Sequence, residues 1–241
     1  MTIPVYIGWD PREEIAFNVA ARSLCELSPD ARIIPLVLSS LRDRGLYHRP
    51  TTVLNNGLYD VISEAPMSTE HAISRFLVPR LQRHSGWALF VDGDVLFRRP
   101  VEELFDRRDE RYALMCVQHP PIVAEGTKKD GQPNQIYHRK NWSSVILFNC
   151  GHPANRLLSP DYVNAVPGRE LHRYGWLDDA LIGELPPVWN YLVGVNPPMD
   201  DPAIVHYTLG VPSIPTYRHS PFADEWFAAA VRAGHGQGHE A

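Results

Sequence analysis

The stretch ALFVDGDVLF, residues 88–97, sets two carboxylates, Asp92 and Asp94, inside a run of apolar and aromatic residues. Side chains two apart on an extended chain share a face, so both carboxylates can converge on one object. Bare, and about 6 Å apart, they repel by roughly 3 kcal/mol at an effective dielectric near 20, before desolvation is added. A divalent cation removes that cost, and all-oxygen ligation suits Mg2+ or Mn2+. An isolated Asp-Gly-Asp is a common surface turn, but a surface turn has no need of ALFV before it and VLF after it. These flanks mark the end of a buried strand at the carboxyl edge of a sheet, where open α/β sheets bind ligands. Gly93 leaves the backbone open to close approach by a ligand.

The elements that must position these groups can be read on both sides. IPVYIG (3–8) is a strand, and the spacing of Ile15, Val19, Leu24 and Leu27 predicts a helix over 12–27. ARIIPLVLS (31–39) is a second strand, weakened by Pro35. The polar stretch 40–68 predicts no element and is expected to drape over the surface. A helix is predicted over 68–84, opened by a Ser-Thr cap and bent or split at Pro79. WALFVD follows as a strand, 100–106 as a helix, and YALMCVQ (112–118) as a strand. A long polar loop, 119–142, leads to the strand SSVILFN (143–149). A helical stretch at 154–166, an acidic helix at 177–185 and strands near 188–193 and 203–207 come next. An amphipathic helix over 221–234 ends the pattern. Alternating strands and helices argue for an α/β fold with a largely parallel sheet, mixed in its second half. No linker divides the chain, so 1–234 is read as one domain and 235–241 as a flexible tail.

Composition limits the function. The chain has 241 residues, 44% hydrophobic and 21% charged, which is ordinary for a globular domain. A net charge of −5 gives no electrostatic footprint for nucleic acid. The first residues are too weakly apolar for a signal peptide, and no stretch reaches the length of a membrane span. Cys25, Cys116 and Cys150 form neither a zinc spacing nor a disulfide framework. A soluble, cytoplasmic protein is expected.

ALFVDGDVLF resembles the DxD segment of nucleotide-sugar-dependent glycosyltransferases of family 8, which have the GT-A fold. Further blocks resemble that family in the same order from residue 3 to about 212. The resemblance implies a mixed, mostly parallel Rossmann-like sheet flanked by helices, and transfer of a sugar with retention. It implies a nucleotide-sugar donor, uridine-based by preference, Mn2+ or Mg2+ as cofactor, and a glycosyl acceptor of unknown identity. VYIGWDPREE resembles the first strand and turn, which places Gly8, Trp9 and Asp10 at the donor, with Asp10 on the base. Glu13 stands where the family has a stacking tyrosine, so stacking falls to Trp9, or the base differs. Read locally, Asp10 is equally a helix N-cap.

ISRFLVPRL places Arg75 on the donor sugar and on Asp92. Asp92 and Gly93 then face the donor, and Asp92, Asp94 and His206 of AIVHYTLG are the implied metal ligands. FNCG implies Asn149 on the sugar, although an Asn ending a strand is also a turn former. LDDALIGEL implies Asp178 and Asp179 as the catalytic carboxylates, with the register between them open. Gly210 stands displaced by one from the family's glycine, and the diphosphate lysine that should follow is missing. Arg218, Lys128, Lys129, Arg139 or Lys140 are the candidates to replace it. The loop 126–142, basic and punctuated by glycine, is expected to close over donor or acceptor.

Two other readings compete. FVDGDVLF also fits the DxDx[TV] motif of haloacid-dehalogenase-like phosphohydrolases, with Asp92 as nucleophile, Asp94 as acid/base and Mg2+ between them. About 90 residues before a motif that normally opens that fold count against it. A non-catalytic relative that binds a sugar nucleotide without turnover is the third reading, kept open by the missing lysine and tyrosine.

Overall fold

In a computed structural model, residues 2–54, 57–121, 139 and 141–235 are described. The strands are β1 (Ile3–Gly8), β2 (Ala31–Leu36), β3 (Thr51–Leu54), β4 (Gly57–Asp60), β5 (Ala65–Met67) and β6 (Trp87–Val91). They continue with β7 (Val95–Phe97), β8 (Leu114–Cys116), β9 (Val145–Asn149), β10 (Ile182–Glu184), β11 (Tyr191–Leu192) and β12 (Ile204–His206). The helices are α1 (Glu14–Leu27), α2 (Leu38–Asp43), α3 (His71–Ser74), α4 (Val78–Leu81) and α5 (Glu102–Phe105). Three more follow, α6 (Pro160–Ala165), α7 (Gly168–His172) and α8 (Ala223–Arg232).

The main sheet has six strands in the order β10-β8-β9-β6-β1-β2. β1 pairs in parallel with β2 and β6, and β8 with β10. Only β9 runs against its neighbours β6 and β8. Every residue of β6 and β9 is buried, which is why both read as unbroken apolar runs. One face packs Tyr6, Phe90, Phe76 and Phe148 together, and the other packs Val5, Leu89, Leu24 and Leu147. Among the described residues, no helix is long and apolar enough to cross a membrane.

A second sheet, β11-β12-β7, begins where β6 stops. The chain turns at Asp92-Gly93-Asp94, and β7 leaves to pair antiparallel with β12, His206 opposite Val95. The two carboxylates therefore sit on a turn between two strands, not within one extended strand. α1 packs along β7: the backbone N–H of Phe97 donates to Ser23 Oγ at 3.1 Å, and Val19 packs with Leu96.

Three expectations are corrected. The stretch 40–68 is structured, holding the end of α2 and the antiparallel meander β3-β4-β5. The acidic helix over 177–185 is a 3-10 turn, Asp179–Leu181, running straight into β10. The helix over 154–166 is a 3-10 segment, Pro153–Leu157, followed by α6. Pro79 divides the 68–84 region as expected, into α3, a 3-10 turn Arg75–Leu77 and α4.

The meander is tied down by a buried charge. Arg49 Nε and Nη2 donate to the two oxygens of Asp60, both at 2.6 Å, with each side chain almost fully buried. Nη1 of Arg49 donates to the carbonyls of Val163 and Val166 at the end of α6. Removing one partner of a buried pair strands the other, so Asp60→Ala should cost about 3–5 kcal/mol in chemical denaturation. An unchanged midpoint would show that the pair holds nothing in place.

Candidate active site

Asp92, Asp94 and His206 each present a ligand atom, and these lie within 4.8 Å of one another. His206 is buried, with Nε2 3.1 Å from Asp94 Oδ1 and 3.8 Å from Asp92 Oδ2. Its Nδ1 lies 3.1 Å from Asn190 Oδ1, while the Asn190 amide nitrogen donates to Ser144 Oγ at 2.9 Å. Asn190 thus accepts from His206, which puts the proton on Nδ1 and aims Nε2 at the carboxylates. A metal-ligating histidine is oriented in the same way. Burial pushes this imidazole down, but Asp94 and Asp92 outweigh it and raise its pKa.

Asp92 is held from its other side. Arg75 Nη2 lies 2.8 Å and His71 Nε2 3.2 Å from Asp92 Oδ1. Both contacts are ion-pair approaches to the same buried oxygen. Burial pushes the carboxyl up, yet Arg75 foremost, then His71 and His206, hold it well below the usual carboxylate range. Arg75 is itself fixed by donating to the carbonyls of Ala72 and Ser143, and its guanidinium lies 4.8 Å from the centre of the Phe90 ring. Two aspartates and one imidazole nitrogen suit a divalent cation of the Mn2+ or Mg2+ type.

The glycines explain how the chains come this close. A Cβ on Gly8 would lie 2.4 Å from the His71 ring, and one on Gly93 would lie 2.5 Å from the Gly8 carbonyl oxygen. The space beside Gly93 is therefore filled by the end of β1, where the sequence suggested an opening for ligand.

Other expected residues fall differently. Asp10 caps the turn at Pro11–Glu13, accepting from Arg12 N and Nε at 2.9 Å, from Arg12 Nη2 at 2.7 Å and from Glu70 N at 3.0 Å. Its side chain is fully buried, so as it stands it cannot touch a base, and the N-cap reading is the one the geometry bears out. Trp9 follows β1 half-buried. Asn149 pairs with Trp87 at the start of β6, on the order of 15 Å of strand from Asp92. Its amide donates to Glu110 Oε2 at 3.0 Å, which also removes it from any sugar at the carboxyl edge. Because β9 is antiparallel, its beginning meets the site: Asp92 N donates to the Ser144 carbonyl at 2.9 Å.

Asp178 and Asp179 are both exposed, and Asp179 pairs with Arg139. Of the two, Asp179 lines a cavity of about 410 Å3, with Gln118, His119, Arg139, Trp142 and Ile182. Gly210 takes φ +148°, and a Cβ there would meet the Tyr217 ring at 2.3 Å, so its glycine is required by packing. The Arg218 guanidinium lies 5.3 Å from the centre of the Phe227 ring on α8. Lys128, Lys129, Lys140, most of the 126–142 loop and all but the first residue of the 235–241 tail lie outside the described residues.

Several residues of the site had no signal strong enough to mark them. His71 lies one helical turn before Arg75, a spacing that puts both on one face. His119 Nε2 is buried without a hydrogen-bond partner, and burial, with His206 nearby, pushes this imidazole down to about 4. Glu13 is pushed up to about 7 by burial, then by Asp94, with Asp10 and Asp92 adding and only His71 opposing.

That shift has a direction in pH. Between the ordinary value of 4.5 and about 7, the unfolded chain ionises Glu13 while the folded chain keeps its proton. The folded state binds more protons there, so its stability falls as pH rises, and the cost is complete above about 7. In EDTA, Glu13→Gln should gain stability over the wild type progressively across this interval. A difference independent of pH would place Glu13 in an ordinary solvated environment.

No protein-family model matches the chain. The galactosyltransferase LgtC, solved in complex with donor and acceptor sugar analogs, superimposes with a TM-score of 0.57 at 14% identity, over 95% of this chain and 96% of that one. The WbbM bifunctional glycosyltransferase gives a TM-score of 0.57 at 12% identity over 95% of this chain, which spans 51% of that protein's length. At such identities the likeness establishes the fold, and that fold is GT-A. Protein CDI of Arabidopsis thaliana is 43% identical over 228 residues, covering 92% of this chain and 83% of that protein. On that identity over most of its length, the chain belongs to the family of Protein CDI.

Proposed function

We propose that the chain is a glycosyltransferase, moving a sugar from a nucleoside-diphosphate sugar to an acceptor, with Asp92, Asp94 and His206 holding Mn2+ or Mg2+ against the diphosphate. The observation that carries this is the convergence of three ligand atoms within 4.8 Å at the carboxyl edge of a GT-A sheet. When bound, the cation supplies charge stabilisation to the departing diphosphate without a proton transfer.

The protein's own groups have separate tasks. Arg75 and His71 keep Asp92 ionised and fix its orientation. Asn190 fixes the tautomer that aims His206 Nε2 at the carboxylates. Asp179, which lines the cavity shared with Trp142, is the carboxylate we assign to a sugar developing positive charge at its anomeric carbon, a role that requires Arg139 to release it. Trp9 is the aromatic left to stack on the base, and Gly210 shapes the turn that follows His206. A uridine diphosphate sugar and transfer with retention are the first donor class and outcome to test. LgtC, captured with donor and acceptor sugar analogs on the same fold, supports a sugar donor and a sugar acceptor as the substrate class.

A phosphohydrolase would need Asp92 as a free nucleophile. Here one oxygen of Asp92 faces Arg75 and His71 and the other faces His206, an arrangement for holding a carboxylate still.

With uridine nucleotide sugars and Mn2+, the wild type should release the nucleoside diphosphate. Asp94→Asn and His206→Ala should lower Mn2+ affinity by more than about 100-fold, the upper end of what loss of an outer-shell partner costs. Both should still unfold cooperatively. Equal nucleotide release by wild type and variants would remove the cation from the reaction. Cleavage of phosphate monoesters, with nucleotide sugars left intact, would favour the phosphohydrolase.

A further inference from the structure

We infer that His172 is a positioning residue of the cation site: its ring nitrogen holds the Ser143 hydroxyl, and the Ser143 carbonyl in turn holds Arg75 against Asp92. The inference rests on reading Asp92, Asp94 and His206 as cation ligands.

The short helix α7 is fitted against this part of the molecule at both ends. Gly168 opens it and donates its N–H to Ser63 Oγ at 2.8 Å. A Cβ on Gly168 would lie 2.7 Å from Ile73 Cδ1, so the missing side chain lets α7 lie on α3, which ends just before Arg75. His172 closes α7 four residues later, and residues four apart share one face of a helix. The face that meets Ile73 therefore also carries the imidazole.

From there His172 reaches Arg75 by two routes. Its ring meets the Phe76 ring edge-on, with centres 5.3 Å apart and planes at 80°. Phe76 follows Arg75 in the 3-10 turn Arg75–Leu77. On the other side, His172 Nδ1 lies 2.7 Å from Ser143 Oγ. Ser143 is buried, and its carbonyl accepts from Arg75 Nη1 at 2.8 Å. The next carbonyl, that of Ser144, accepts from Asp92 N at 2.9 Å. The 3-10 turn Trp142–Ser144 thus holds both partners of the Arg75–Asp92 ion pair. Two residues beyond His172, Tyr174 donates its hydroxyl to the Trp142 carbonyl at 2.9 Å and ties down the start of the same turn.

Packing alone does not call for a histidine here. Desolvation, and then the Arg75 charge, push the imidazole down to about 3 against the pull of Asp92, so the ring is neutral at ordinary pH. A desolvated polar ring is costly unless it is hydrogen-bonded, and a phenylalanine would fill the same space without that cost. What the imidazole adds is the bond to Ser143. That bond fixes the residue whose carbonyl sets where the Arg75 guanidinium stands, and so sets the orientation of Asp92. Partners behind a metal ligand that orient it in this way commonly govern metal affinity.

The test is a Mn2+ titration, without and then with uridine diphosphate, with the free ion read by electron paramagnetic resonance. It compares wild type, His172→Phe, His172→Asn, Ser143→Ala and the double variant His172→Phe/Ser143→Ala. His172→Phe and Ser143→Ala should each weaken Mn2+ binding roughly tenfold. The double variant should be no weaker than either, because both changes break the same bond. His172→Asn sets an amide near the place of Nδ1 and should recover most of the loss, although it fills the space less well than Phe. A purely structural role would rank the two variants the other way. Wild-type affinity in both His172→Phe and Ser143→Ala, losses that add in the double variant, or weaker binding by His172→Asn than by His172→Phe would each overturn the positioning role and leave the cation site standing. If the wild type binds no Mn2+ with or without nucleotide, the cation site itself is refuted, and the role of His172 with it.

Discussion

The site depends on keeping one carboxylate ionised at the end of a buried strand. Asp92 follows β6, the strand at the centre of both core faces, where desolvation pushes its carboxyl up. Arg75 prevents this at 2.8 Å, and the surroundings are arranged so that Arg75 can be there. The break of the helical region around Pro79 sets a short 3-10 turn at Arg75–Leu77. Phe90 lies under the guanidinium, and Ser143, in the turn just before β9, supplies a carbonyl to it. Gly8 leaves room for His71 to reach the same oxygen. Charge, strand ending and glycine positions thus form one constraint.

Topology completes the site from distant parts of the sequence. The turn at Asp92-Gly93-Asp94 sends β7 out of the main sheet, where it needs an antiparallel partner, and β12 provides one. Because His206 ends β12 opposite Val95, the pairing register itself delivers the imidazole to Asp94. The reversed direction of β9 has the same kind of effect: it presents Ser143 and Ser144, and not Asn149, to the carboxyl edge.

The sequence makes the main strands legible because strands buried on both faces are continuous apolar runs, as in WALFV and VILFN. It makes the metal ligands legible because an acidic pair inside such a run conflicts with burial. The β3-β4-β5 meander escapes notice for the opposite reason: its strands are short and partly exposed, with Val53 68% accessible. The resemblance implies Asn149 on the sugar, yet β9 ends beside Trp87, because the end of a strand says nothing about which edge of the sheet it reaches. Asp10 carries two local meanings, cap and ligand, and only the three-dimensional approach of Glu70 and Arg12 separates them. His71 and Asn190 acquire their roles from packing between elements far apart in the chain, which periodicity does not record.

The most direct test of the account is a thermal-shift panel of uridine, guanosine, cytidine, adenosine and thymidine diphosphates, each with and without Mn2+. A nucleotide that binds the folded state raises the midpoint by mass action. The account requires a shift with at least one base, and requires that shift to depend on the metal. Stabilisation by a nucleotide that is the same in EDTA, or no shift with any nucleotide at saturating Mn2+, would contradict it.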